Sequence, residues 1–368
     1  GVKEAPPDPG KPPEQVKDGG EQTARPVDGK HPEGCDAPQG EIPSSQGLQG
    51  GEGDFQAPAK DAAFDKILKQ FSHTDSVSVF SFFIRTTEER KQQKMNYAEA
   101  LEYVESCKKY GVVPGLSSIR RLLCRLGNPQ EKLAFVHIAG TNGKGSVLAM
   151  LSGVLARAGY RTGSFSSPEL LEHRDMFRMN GRVIAKTEFA RCMERVSRAA
   201  EELSGEGFPH PTAFEVDTAL AFLWFQEKKC DIAIAEAGMG GLLDSTNVIP
   251  DPLVCVLTSI SMDHMAALGD TLEAIAAQKA GIIKPKSRVV SLRQKPEAMR
   301  VIEEACRERG CSLRTADPEK LSGVRRSLKG QRFSYGEWKR LEIPFAGTWQ
   351  TDNAALALEA LAALSEAG

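Results

Sequence analysis

"HIAGTNGKGSVLAMLSGVLARAG", residues 137–159, decides the fold of this chain. It continues an apolar run, LAFVHIAG (Leu133–Gly140), that reads as a buried strand. From Ser146 to Gly159 the text reads as a helix, with Val147, Leu148, Leu151, Val154 and Leu155 on one side. Between strand and helix lies a glycine-rich turn. Glycines let backbone N–H groups approach a phosphate, and a helix N-terminus favours negative charge. The familiar phosphate loop reads G-x-x-x-x-G-K-[ST]. Here Gly145 separates Lys144 from Ser146. A glycine turn alone says little. A lysine to neutralise phosphate oxygens, and a hydroxyl in the first helical turn to meet Mg²⁺, make it a nucleotide-binding loop.

Outward from this turn, strand and helix patterns alternate. YRTGSFSSP, CDIAIAEAG, PLVCVLTSI and SRVVSL read as strands; TAFEVDTALAFLWFQEK and TLEAIAAQKAG read as helices, the second closed by Gly281. Such alternation predicts an α/β fold with a mostly parallel sheet and helices on both faces. In such sheets ligands bind beyond the carboxyl ends of the strands. VRRSLKGQRFSYGEWKRLEIP, around Arg325–Pro344, predicts a basic hairpin turning at Lys329-Gly330, its charge a solvated face. From Gly1 to about Lys60 the chain is rich in Pro, Gly, Gln and charge and poor in large apolar side chains, and a disordered, low-complexity extension is expected over 1–94. The apolar DSVSVFSFFIR (Asp75–Arg85) has no assigned place. A domain is expected over 95–368.

Several function classes are excluded or disfavoured by composition. The net charge is −2 over 368 residues, so nucleic acid is not the expected partner. No apolar run approaches the ~18 residues that span a bilayer, so no membrane association is expected. The eight cysteines carry no C-x-x-C pair and read as reduced thiols of a cytoplasmic protein, with a mitochondrial form also open.

The other strand ends carry candidate chemistry. SSPE offers Ser166 and Ser167, AEAGMGG offers Glu236, and TSISMDH offers Asp263 and His264. Taken singly, each is an ordinary loop residue. The fold reading sends all of them to the rim of the phosphate loop, where hydroxyls, a carboxylate and an imidazole make a Mg²⁺ shell. Lys279 is the odd residue. Positions 272, 275, 276 and 279 share one helix face, so the lysine falls on the apolar side. Either it snorkels to water, or it is desolvated with a lowered pKa and able to form a carbamate with CO₂.

These residues, with PGLSSIRRLLCRLGNPQEKL, NGRVI, EAGMGGLLDSTN, QKAGIIKP and FAGTWQTDNAALAL in this order, resemble the folylpolyglutamate synthase and dihydrofolate synthase family of the Mur ligase superfamily. In that family G-T-N-G-K-G-S is the phosphate loop. The resemblance implies an ATP-dependent ligase that adds L-glutamate to a folate or dihydropteroate through an acyl phosphate. By motif it implies that Thr141, Asn142, Gly143, Lys144, Gly145, Ser146, Gln350 and Asn353 hold ATP. Ser146, Ser167, Glu236, His264 and Lys279 would serve Mg²⁺, with Lys279 carbamylated and with Lys144, His264 and Lys279 acting in catalysis. Thr212, Ala213, Phe214, Glu215, Leu243, Asp244 and Ser245 would contact the folate, and the enzyme is expected to be a monomer.

Departures from the family pattern are Glu169, Leu242, Trp349 and Gln278. Family members also carry a further α/β domain after the NAALAL helix. The sequence given stops at Gly368. It is therefore expected to be a Mur-ligase-type central domain that binds Mg-ATP weakly and ligates poorly alone.

Overall fold

A computed structural model describes residues 94–367. The expected disorder of 1–93 and the segment Asp75–Arg85 lie outside the described residues. Helices α1 (Tyr97–Cys107) and α2 (Ser117–Arg125) precede strand β1 (Phe135–Ala139) and helix α3 (Lys144–Arg157). Then come β2 (Thr162–Phe165), β3 (Phe177–Met179), β4 (Arg182–Val183), α4 (Lys186–Gly205) and α5 (Ala213–Glu227). The alternation continues through β5 (Ile232–Glu236), β6 (Val254–Leu257), α6 (Leu272–Ala280), β7 (Arg288–Leu292), α7 (Pro296–Glu308) and β8 (Ser312–Ala316). Strands β9 (Leu321–Ser327), β10 (Gly330–Tyr335) and β11 (Trp338–Ile343) lead into α8 (Gln350–Ser365).

The main sheet runs β4-β3-β2-β5-β1-β6-β7-β8. Strands β2, β5, β1, β6, β7 and β8 are parallel, and the short β3–β4 hairpin is an antiparallel edge. From β1 the chain first builds to one side, through β2 and β5, and then crosses to β6 on the other. The loops after β1, β5 and β6 therefore open side by side at the switch point, where an α/β sheet binds its ligand.

Strand pleat sorts the core. Phe135 faces a cluster built with α1, α2, α4 and α5. Val136 and Ile138 face the opposite layer, made by α3, α8 and the inner side chains Phe333 and Tyr335 of the small sheet. Ala139, with Cys255 and Leu257, meets α6 and α7. This period of two is what a strand buried on both faces requires.

Three expectations change in detail. Val154 is exposed, unlike Val147, Leu148, Leu151 and Leu155. At roughly 100° per residue, it projects just past the edge of the arc those four define. The basic hairpin forms, turning one residue earlier than expected, at Leu328 and Lys329 with Gly330 paired to Ser327, and a third strand, β11, pairs with β10. Helices α4 and α7 and strands β3, β4 and β8 complete an alternation whose motif-bearing parts alone were assigned from sequence. No helix among the described residues is long and apolar enough to cross a membrane.

Close approach of helix to sheet depends on one small residue. A Cβ at Gly163 in β2 would lie 2.8 Å from the Phe225 ring of α5. Gly163→Ala is expected to destabilise the fold by about 1–3 kcal/mol. In a Phe225→Leu background its cost should fall. Urea denaturation of the four proteins in this cycle measures the coupling, and simple additivity would show that this contact does not set the spacing.

Candidate functional site

The turn after β1 is shaped by two glycines that admit no side chain. Gly140 has φ +152°, and a Cβ there would sit 1.8 Å from Thr258 Oγ1. Gly143 has φ +90°, and its Cβ would sit 2.4 Å from Asn353 Oδ1. Both positions are in the region that favours glycine. The turn is pinned from one side by the segment after β6: Thr141 N donates to Ser259 O at 2.7 Å, and Thr141 Oγ1 donates to Ser261 O at 3.1 Å. From the other side α8 reaches in. Gln350 Nε2 donates to Ser146 Oγ at 3.1 Å, and Asn353 Nδ2 donates to Gln350 Oε1 at 3.2 Å. Gln350 and Asn353 thus join the loop residues they were grouped with.

Two lysines converge on one carbonyl. Lys144 Nζ donates to Gly140 O at 3.1 Å and to Thr141 O at 3.3 Å. Lys279 Nζ donates to the same Gly140 O at 2.9 Å. Lys279 is 2% exposed, so it does not snorkel. Burial, and then the nearby Lys144 charge, pull its pKa down to about 8. Glu236 ends β5 opposite β1, 4% exposed, with Oε1 3.8 Å from Lys144 Nζ. Burial pushes its carboxyl up to about 7, against the pull of Lys144. Glu236 has no hydrogen-bond partner among the described residues, which leaves its oxygens free for a ligand.

Two cavities meet at the loop. One, of about 560 Å³, is lined by Asn142, Gly143, Ser146, Trp349, Gln350 and Asn353. The other is a groove of about 1000 Å³ that shares Gly143 and Ser146 and adds Ser167, Glu236, Arg178 and Phe345. Ser146, Ser167 and Glu236 are therefore brought together. His264 is not: it has φ +46°, its side chain is 56% exposed, and its Nε2 lies 3.7 Å from Asp263 Oδ1. No group of three or more His, Cys, Asp or Glu side chains among the described residues is placed to hold a metal by itself. A cation here would need serine hydroxyls and ligand oxygens as well.

The residues grouped as folate contacts divide in two. Thr212 and Glu215 form a reciprocal capping box that starts α5, and Glu215 also accepts from Ser118 Oγ. Asp244 accepts from Met239 N, Thr246 N and Thr246 Oγ1, fixing the turn of GMGGLLDSTN. Ser245 is buried in that turn. These four are held by the chain's own hydrogen bonds, capping α5 and fixing the turn. Phe214 and Ala213 are half-buried and Leu243 is exposed. The Phe214 ring stacks on Phe165, centroids 5.8 Å apart, over Gly238, where a Cβ would be 2.8 Å from Phe214 Cζ.

Other supporting residues carry no signal in the sequence reading. His137 is fully buried on β1, and its Nε2 meets Thr246 Oγ1 at 2.8 Å. The Thr246 hydroxyl donates to Asp244, so His137 donates from Nε2. Burial, with Lys284 adding, holds its pKa down at about 3, so the ring stays neutral. It ties β1 to the Asp244 turn. His173 Nε2 pairs with the buried Asp217 Oδ1 at 2.8 Å, fastening the loop after Ser167 to α5. Burial lowers the His173 pKa, but Asp217 outweighs it and the net shift is upward.

Comparison with known proteins gives a consistent picture. Residues 138–361 match the Mur ligase middle domain. The chain is 37% identical over 268 residues to a dihydrofolate synthase/folylpolyglutamate synthase of Bacillus subtilis (strain 168), covering 71% of this chain and 62% of that protein. It is 35% identical over 251 residues to a dihydrofolate synthetase of Saccharomyces cerevisiae, covering 66% of this chain and 56% of that one. The chain thus spans about three fifths of the length of these curated relatives. The apo form of L. casei FPGS superposes with a TM-score of 0.71 at 32% identity, covering 74% of this chain and 68% of that one. An FPGS-AMPPCP-folate complex gives 0.69 at the same identity and the same coverages.

A buried lysine is costly, and the sign of that cost can be worked out. The folded pKa of Lys279, about 8, lies below an unfolded value of about 10.4. The charged amine therefore opposes folding fully below pH 8, and the penalty is lost as pH rises from there towards 10.4. Lys279→Met should stabilise the protein by on the order of 1–3 kcal/mol at pH 7 in bicarbonate-free buffer. The gain should shrink by pH 10. Chemical denaturation at both pH values measures it; a less stable variant at pH 7 would show that the Gly140 hydrogen bond outweighs desolvation.

Proposed function

Because the chain belongs to the Mur ligase family, on its folylpolyglutamate and dihydrofolate synthase branch, we propose that it is the ATP-handling part of a ligase joining L-glutamate to a folate or dihydropteroate. The observation that carries this reading is the convergence of Lys144, Lys279 and Glu236, ion-paired to Lys144 at 3.8 Å, on the turn at Gly140–Ser146. Asn142–Ser146 would cradle the ATP phosphates with backbone N–H groups and the Lys144 charge. Gln350, Asn353 and Trp349 line the cavity that would take the rest of the nucleotide. Relatives bound to AMPPCP and folate support both ligands.

The chemistry proceeds in two displacements. A substrate carboxylate oxygen attacks the γ-phosphorus, ADP leaves, and an acyl phosphate forms. The glutamate amine then attacks the acyl carbon; phosphate leaves with the bonding pair and the nitrogen loses a proton. The loop's part is to hold the phosphates in line and to balance charge that develops on their oxygens. Phe214 and Leu243 would present the surface for the ring system, held in place by the Thr212–Glu215 cap and the Asp244 turn.

The donor set fits Mg²⁺. Glu236 is a carboxylate without a side-chain hydrogen bond, and it lines the same groove as Ser146 and Ser167; together they offer the hard oxygen ligands this ion takes. The ion would neutralise phosphate charge there. His264 joins this set only if the loop Ser261–Gly269 folds inward over bound nucleotide. Lys279 is the carbamylation site of this reading. Its neutral amine adds to CO₂ and releases a proton, giving a carbamate anion. Two cations on one carbonyl oxygen would become an anion beside a cation. The compartment we favour is the cytoplasm, the curated relatives also including a mitochondrial form.

Lys144→Ala should weaken Mg-ATP binding on the order of a hundredfold, measured by calorimetry; unchanged affinity removes the phosphate-loop assignment. Folded protein in ¹³C-bicarbonate at neutral pH should show a carbamate resonance by NMR that Lys279→Met lacks, and no adduct would remove that assignment. Glutamate ligation by the full-length protein, with dihydropteroate and tetrahydrofolate offered separately, then decides the acceptor. Failure with both, while Mg-ATP still binds, would point to a non-catalytic relative.

A further inference from the structure

Helix α7 ends in a cap that sets two cysteines side by side, at the amino end of β8 and away from the rim where the phosphate loop opens. Gly310, with φ +64°, turns the chain. Gly310 N donates to Arg307 O at 3.3 Å, and Cys311 N donates to Cys306 O at 2.8 Å. This pair of bonds is a Schellman cap, in which the residues at the places of Cys306 and Cys311 bring their side chains into contact. Apolar groups usually meet there; here both are thiols. Bond lengths through the N–H···O contact allow at most about 6.7 Å between the two Cα atoms. That lies within the ~4.4–6.8 Å a disulfide bridges.

The two thiols differ in access. Cys306 is 3% exposed, and burial, with Cys311 adding, pushes its thiol up to about 12. Cys311 is half-buried, so a reagent from solvent meets it first. Its thiol also clamps the segment that follows α6. Cys311 Sγ donates to Lys284 O at 3.1 Å, and Lys286 N donates to Arg309 O of the cap at 2.9 Å. Lys284 Nζ in turn donates to Asn247 O, and Asn247 Nδ2 donates to Leu242 O and Gly281 O. A third thiol is near but screened. Cys255 is fully buried and donates to Ile282 O at 3.3 Å. Ser287 Oγ lies 3.7 Å from Cys255 Sγ and 3.6 Å from Cys311 Sγ, bridging the two.

We propose that Cys306 and Cys311 are a redox-active dithiol, oxidised by low-molecular-weight disulfides, and that its closure loosens the segment 282–287. The Cys311 thiolate attacks one sulfur of the reagent, breaks its S–S bond and expels one thiolate. Cys306 then loses its proton to solvent and attacks Cys311 Sγ, expelling the second thiolate. Two protein thiols are oxidised, and one external disulfide is reduced to two thiols. Cys311 then has no proton to donate to Lys284 O. Because Cys311 is reachable from solvent, the reverse exchange can reopen the bond.

Native protein treated with glutathione disulfide, alkylated and digested with trypsin without reduction should yield peptide 301–307 joined to 310–314; cleavage after Arg307 and Arg309 separates the two cysteines. Cys306→Ser should stop at a glutathione adduct on Cys311, and Cys255→Ser should leave the cross-link unchanged. At one glutathione ratio, disulfide over dithiol should be about tenfold or more higher in native protein than in urea, because the cap holds the thiols together. Amide exchange over 282–287 should quicken about tenfold in the oxidised protein. The proposal is overturned by no reaction, by a stable glutathione adduct in the wild type, or by a bridge from Cys255 to Cys311. Equal ratios in both solvents, or unchanged exchange over 282–287, would overturn it as well.

Discussion

The carbonyl oxygen of Gly140 accepts from two lysine ammonium groups, Lys279 at 2.9 Å and Lys144 at 3.1 Å. Placing two cations on one acceptor inside a protein is unfavourable unless something anionic arrives. Everything around the turn enforces the arrangement. Gly140 is pressed against Thr258, where no Cβ fits. Lys144 begins α3, and Lys279 comes from α6, whose flanking Gly281 packs where a Cβ would strike Leu242. The sheet order puts β1 between β5 and β6, so Glu236 and Ser259 flank the same oxygen's loop. The site is a preformed hollow of positive charge.

Desolvation sets the chemistry of that hollow. Glu236 is pushed up to about 7 and Lys279 down to about 8. Both shifts follow from burial first, so both are costs to the folded state without ligand. Paired groups with displaced pKa values mark sites where function outweighs stability. The opposite logic holds for His137. Burial keeps it neutral, and its one donated hydrogen bond links β1 to the turn fixed by Asp244. A protonated ring there would place charge in the core without a partner, so its role is to hold geometry rather than move protons.

Much of this was legible in the sequence, for definite reasons. The buried strands and the turn at Gly140–Ser146 announce themselves because apolar runs, glycines and lysine lie close together in the chain. Lys279 was legible because a helix face can be counted. What resisted was anything set by contact between distant segments. His264 shares a strand-end motif with Asp263, yet its left-handed backbone leaves the ring in solvent. Thr212 and Glu215 look like ligand contacts by motif, although T-x-x-E ahead of an apolar run is equally the signature of a capping box. The structure shows that cap. Pairing of β11 with β10, and the orphan Oε1 of Gln331, depend on register that hydropathy does not encode.

Helix α8 shows how a distant segment governs the loop. Its first turn supplies Gln350 to Ser146 and, through Asn353, occupies the space that Gly143 leaves open. Gln350 and Ser146 are bonded to each other, so a cation drawing on the Ser146 oxygen must share it with, or displace, the Gln350 amide. The amide in turn belongs to a strap whose other end is held by Gln331 at Phe345 O and Gly347 O. Metal binding at Ser146 and movement of the strap are therefore linked through a single side chain. The small sheet is thus joined to the phosphate loop through Gln331, the strap and Gln350 rather than merely appended to the main fold.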